Sequence, residues 1–206
     1  MNIITYENGP FMVNTYLVVN DDNSKGFVVD PGNEIDGLIR KIDGDKISID
    51  AILCTHGHID HVAGVAQMKE KFNALFYMNE KDKDLLDSIP AYSKMFGVEE
   101  PKIPLVDKNI PESGEIEVAG IKLKLLFTPG HSRGSISFYF GDVVISGDAL
   151  FNMSIGRTDL PGGDYDQLIS SIKSKLLTLP DETKVLSGHG PASTIGFEKK
   201  RNPFLR

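Results

Sequence analysis

Apolar residues in this chain come in short runs, broken by polar stretches rich in Gly, Pro, Asn and Asp. Residues 14–19 and 26–29 read as two strands, with the polar stretch 20–25 as a hairpin loop. Ile35, Leu38, Ile39 and Ile42 recur at a helical period, predicting a helix over 35–42. A short apolar run at 51–54 predicts a buried strand, residues 62–72 a helix and 74–78 another strand. From residue 114 the pattern is strand-rich again, at 115–118, 121–127, 135–140 and 143–145, with turns at 119–120 and 141–142. An amphipathic helix follows over 164–177, with Asp164 as its N-cap, then a strand at 183–186 and a short basic helix at 198–201. Both halves run strands then helices, which predicts a layered α/β domain with helices outside a strand core. Residues 80–111, rich in charge and proline around a short helix at 80–88, read as a surface insertion within a single domain spanning 1–206.

Length and composition agree with one soluble domain: 206 residues, 40% hydrophobic and 25% charged. The net charge of −7 argues against a nucleic-acid partner, which calls for a basic face. No apolar run approaches the length of a membrane span, and residues 1–10 lack the pattern of a secretory signal. The one cysteine, Cys54, leaves no internal disulfide possible and fits a reducing, cytoplasmic setting. Cys54 itself reads as a buried apolar residue and not as a nucleophile.

The chemistry gathers where the 51–54 strand meets the following helix. Thr55-His56-Gly57-His58-Ile59-Asp60-His61 packs three imidazoles and a carboxylate into one loop, and these are preferred ligands of zinc and iron. The remaining histidines, His131 and His189, and Asp148 each follow an apolar run and a small or turn residue. If those strands lie side by side, their loops share one sheet edge, where binding sites form. His56, His58 and His131 are then expected to hold one metal ion. Asp60, His61 and His189 would hold a second, with Asp148 bridging both. Asp60 is also expected to orient a nucleophilic hydroxide. Asp30, in Asp30-Pro31-Gly32, either steadies the ligand loop or simply makes a turn.

The set His56, His58, Asp60, His61, His131, Asp148 and His189, in that order, resembles the metallo-β-lactamase superfamily over nearly the whole chain. The resemblance implies a four-layer αββα sandwich with two divalent metal ions, zinc by default and iron or manganese as alternatives. Within it the chain is most similar to the short bacterial relatives of glyoxalase II, by Asp148 at the bridging position, Gly156-Arg157-Thr158-Asp159 and Asn202-Pro203-Phe204. That implies hydrolysis of a small, anionic acyl thioester such as S-lactoylglutathione. Arg157 stands where the family has a lysine, and is expected to meet a substrate carboxylate. The family's tyrosines are Asp159 and Pro191 here, and its glutathione-binding helical domain has no counterpart, so glutathione recognition transfers poorly. The Gly-Arg-Thr-Asp run also occurs in persulfide dioxygenases, which use one iron on a similar scaffold. Lactones and phosphodiesters are further substrate alternatives.

Overall fold

The computed structural model describes residues 1–206, which divide into two compact units. The first holds Met1–Ile110 and Glu117–Ile121, the second Pro111–Ile116 and Lys122–Arg206.

The first unit begins with β1 (Asn2–Asn8), β2 (Val13–Val19) and β3 (Lys25–Val29), paired antiparallel in turn. Helix α1 (Asp36–Asp45) crosses from β3 to β4 (Ser48–Leu53), which pairs parallel to β3. Lys46, in the left-handed region at φ 58°, ends α1, and its N–H reaches the Asp43 and Ile42 carbonyls. After β4 come the single turn α2 (Ile59–Val62) and α3 (Val65–Phe72), then β5 (Leu75–Met78), parallel to β4. The helix expected over 62–72 is thus two pieces. Gly64 lies at the break, where Gly32 O would lie 2.4 Å from a Cβ, so only glycine lets the two backbones meet. A 3₁₀ turn at Glu80–Asp82, α4 (Lys83–Asp87) and α5 (Ile89–Phe96) follow. The 80–111 segment then adds β6 (Lys108–Asn109) to complete a sheet in the order β1-β2-β3-β4-β5-β6. Leu17, Val28, Ile52 and Phe76 of this sheet share one core with Leu38 and Ile42 of α1 and Val65 and Met68 of α3. That burial explains why residues 27–29 of β3 and 51–53 of β4 read as unbroken apolar runs, while Ser48 and Asp50 at the start of β4 stay exposed.

The second sheet runs β14-β13-β10-β9-β8-β7. Its strands are β7 (Ser113–Val118), β8 (Ile121–Phe127), β9 (Ile136–Phe140), β10 (Val143–Gly147), β13 (Lys184–Ser187) and β14 (Ser193–Thr194). Between β10 and β13 lie the small hairpin β11 (Leu150–Phe151) and β12 (Ser154–Ile155), then α6 (Tyr165–Ser171), continued by a π turn over Ile172–Leu176. Asp164 caps α6 as expected, its carboxylate accepting from Gln167 N at 2.9 Å. Helix α7 (Ile195–Arg201) follows β14. Leu168, Ile172 and Leu176 pack with Leu126, Val144 and Val185 of the sheet. The α/β class expected from the pattern is what the chain adopts. No helix is long and apolar enough to cross a membrane.

Candidate metal centre

In the first unit, parallel pairing sets the geometry. Val29 of β3 pairs with Leu53 of β4, so the residues after each strand, Asp30 and Cys54-Thr55, emerge side by side. Asp30 is fully buried, sits at φ 51°, and turns its carboxylate onto the ligand loop. Its Oδ1 accepts from Thr55 N at 2.7 Å and its Oδ2 from Thr55 Oγ1 at 2.8 Å. Thr55 Oγ1, having donated to Asp30, can only accept from His56 Nδ1 at 3.0 Å. That places the His56 proton on Nδ1 and leaves Nε2 as the lone-pair nitrogen. Asp30 Oδ2 also lies 3.0 Å from His61 Nδ1, so His61 Nε2 is the ring atom turned toward Asp60, 3.6 Å from Asp60 Oδ2. Of the two readings of Asp-Pro-Gly, this geometry carries the first: Asp30 orients two imidazoles through three contacts.

The three loop histidines are buried, and the His56 ring lies 4.8 Å from that of His58 and 4.0 Å from that of His61. Between His56 and His58 the backbone is pinned by Asp82, whose Oδ2 accepts from Gly57 N at 3.0 Å. A Cβ on Gly57 would fall 2.9 Å from Asp82 O, so glycine is needed for that approach. Sequence reading missed Asp82. The signal that finds it is topological: β5 pairs with β4, so the segment just after β5 runs beside the ligand loop. Cys54 is fully buried, its thiol donating to His61 O at 3.6 Å. Burial first, and the Asp30 charge second, push that thiol well above its usual titration range, so it is no nucleophile.

In the second unit the same logic recurs. Parallel register sets Gly147 of β10 against Ser187 of β13, which brings Asp148 and His189 out together. Strand β8 runs antiparallel to β9, and β9 to β10, so the C-terminal end of β8 and His131 lie on the same edge. His131 Nε2 lies 3.5 Å from Asp148 Oδ2, and His189 Nε2 3.6 Å from the same oxygen. The other ring nitrogen of His131 donates to Arg157 O at 2.8 Å, so a backbone carbonyl fixes that imidazole. His131 and Asp148 are nearly enclosed, while the His189 side chain is 28% exposed. Gly156 makes the packing possible: a Cβ there would lie 1.8 Å from Asp148 O and 3.1 Å from His131 Nδ1. Neither Gly156 nor the Arg157 carbonyl was legible as part of the site. The Arg157 side chain, expected to meet substrate, makes a two-pronged pair with Asp159. Nε and one terminal nitrogen each lie 2.7 Å from a carboxylate oxygen.

These donors fit metal ions. Two ligand atoms each about 2.1 Å from a tetrahedral metal lie about 3.4 Å apart. The separations of 3.5 and 3.6 Å around Asp148, and of 3.6 Å between Asp60 and His61, are of that size. Imidazole nitrogens held by Asp30, Thr55 and a carbonyl, with carboxylates between them, are the donor set of a borderline divalent ion.

The fold and the donor set define a class of protein, a metal-dependent enzyme with histidines and aspartates at the carboxyl ends of its strands. Residues 8–189 match the family model described as metallo-beta-lactamase superfamily, and the chain belongs to that family. It is 41% identical to hydroxyacylglutathione hydrolase GloC of Haemophilus influenzae, over all of this chain and 98% of that one. Solved structures are similar too, two of them over nearly the whole chain. One is the B3 metallo-beta-lactamase BLEG-1, 36% identical with a TM-score of 0.93, covering 99% of each chain. The other is TTHA1623 in a di-iron-bound form, 38% identical with a TM-score of 0.89, covering 98% of this chain and all of that one. The metallo-β-lactamase fold expected from the motif is therefore shown, and membership of the family supports a metallohydrolase.

Proposed function

We propose that the protein hydrolyses small acyl thioesters of the S-lactoylglutathione type, using two divalent ions. His56, His58 and His131 would hold one ion and Asp60, His61 and His189 the other. Asp148 would bridge them, its Oδ2 lying 3.5 Å from His131 Nε2 and 3.6 Å from His189 Nε2. The observation that carries this reading is the donor chemistry at the strand ends, in a chain 41% identical throughout to a hydroxyacylglutathione hydrolase. The ions, zinc by default, would supply an activated water and a counter-charge for the oxyanion that forms on the acyl carbon.

The chain's own residues do the rest. Asp60, on the single turn α2, would accept a hydrogen bond from the attacking water and aim it at the carbonyl. Asp30 and Thr55 keep His56 and His61 presenting the same nitrogens throughout the cycle, so no ring has to turn over. Thiols have a pKa near 8.5, so a thiolate leaves without a dedicated acid. Arg157 would take up a carboxylate of the substrate.

One neighbour favours a second reading. BLEG-1 is a metallo-β-lactamase, and water attack on a β-lactam carbonyl needs the same donors. It differs in the leaving atom: a ring nitrogen must be protonated as the bond breaks, and a thiolate need not. A third reading, a persulfide dioxygenase using one iron, draws on the Gly156-Arg157-Thr158-Asp159 run.

The deciding experiment follows turnover of S-lactoylglutathione and of a chromogenic cephalosporin by purified protein of measured metal content. Oxygen uptake with glutathione persulfide is read on the same sample. The proposal expects metal-dependent release of free thiol, at least a hundredfold faster than cephalosporin opening. Cephalosporin turnover without thioester turnover would transfer the function to the lactam reading. Oxygen uptake alone would transfer it to the dioxygenase.

A further inference from the structure

The Arg157 guanidinium already holds a carboxylate. Asp159, two residues along on the same loop, meets it through two 2.7 Å bonds, the fork geometry by which arginine grips a substrate carboxylate. Both side chains are open to solvent, 57% exposed for Arg157 and 67% for Asp159, so the pair is not a buried structural link. Its backbone, in contrast, is fixed: Arg157 O holds the His131 ring, and Gly156 beside it leaves no room for movement toward Asp148. The loop is therefore anchored at the carbonyl while its charged tip can exchange partners.

We propose that Asp159 sets the charge preference of the site by standing in for a substrate carboxylate on Arg157. An anionic substrate must displace Asp159 to reach Arg157, and a substrate neutral at that point displaces nothing. Asp159 thus weakens, without abolishing, the hold of Arg157 on an anionic carrier such as glutathione, and widens the substrate class to acyl thioesters whose thiol carrier is neutral where it passes the Arg157–Asp159 loop. The inference rests on the thioesterase reading above and on Arg157 facing the substrate. Asp159 stays ionised under all ordinary conditions, since its bonds to Arg157 hold its carboxyl down to about 2.

The test compares the wild type with Asp159→Asn, Asp159→Ser and Arg157→Gln/Asp159→Asn. Lactoyl thioesters of glutathione (anionic) and of N-acetylcysteamine (neutral) serve as substrates. Binding of S-methylglutathione, which cannot be hydrolysed, is measured by calorimetry. In Asp159→Asn and Asp159→Ser, KM for the anionic thioester and Kd for S-methylglutathione should fall about fivefold, the scale of one surface ion pair. KM for the neutral thioester and kcat should stay put, and the double variant should lose the gain. Equal changes for both thioesters, no change, or a gain surviving in the double variant would overturn the proposal, as would failure of S-methylglutathione to bind any variant. Absence of turnover with both thioesters sinks the thioesterase reading instead, and calorimetry then decides Asp159 alone.

Discussion

At the scale of single residues, the carboxylate of Asp30 controls more than any ligand does, because it reaches Thr55 twice and His61 once. Asp30→Asn keeps the size and tolerates the positive φ, but turns an NH₂ donor toward groups that already donate. Metal affinity should fall about 10- to 100-fold in that variant, with the far-ultraviolet dichroism unchanged; competition with a metal chelator measures it. Unaltered affinity would mean that Asp30 is only a turn residue. Asp159 offers a pH test. Its folded-state titration, at about 2, lies below that of the unfolded chain, so the stability it contributes is present above about pH 4 and lost as pH falls toward 2. Wild type and Asp159→Asn should therefore differ in urea midpoint at pH 6 and converge near pH 2. Cys54 should react with a thiol reagent only after denaturation, since it is buried and its thiolate is disfavoured.

At the scale of elements, strands are what the sequence specifies best. The run 121–127 is β8 to the residue, and 14–19, 26–29 and 143–145 fall within β2, β3 and β10. Each alternates or runs apolar between turn residues, a signal contained within a few positions. The ligand loop was legible for the same reason, with four donors inside six positions. What escaped were long-range features. Asp82 braces a glycine 25 residues away, and β1, half exposed, gives weak alternation. Short strands such as β6, β11 and β14 owe their existence to partners and not to their own two residues. Helix α6 tests an element as a unit. Leu168 is fully buried, and its backbone passes 2.3 Å from where a Cβ on Gly130 would stand. Leu168→Ala should cost about 2–5 kcal/mol. Gly130→Ala, at φ 129°, should disturb α6 and His131 together. Thermal melts read the first effect, and metal content of the folded fraction the second.

At the scale of the molecule, the pattern yielded the class of fold and the donor set yielded the family. Neither yields the number of compact units, because a single apolar run does not say which core it joins. Whole-chain stability should register metal directly. At free metal about 100-fold above Kd, binding adds about 2.7 kcal/mol, or about 5–10 °C in melting temperature for a chain of this size. Scanning fluorimetry with and without chelator checks this, and identical melting curves would count against resident ions. Zinc, iron and manganese compared in the same assay would rank the ions by the shift each gives.

The glycine at 156 has a consequence for genetics. It has no side chain to offer the reaction, yet any replacement drives an atom into the Asp148 carbonyl and against the His131 ring. In a library of every single substitution screened for activity, position 156 should tolerate as few residues as the metal ligands do. Intolerance in such a map would mark space as well as chemistry. Antibody or mass-spectrometric counting of folded, metal-free protein would be needed to tell the two apart.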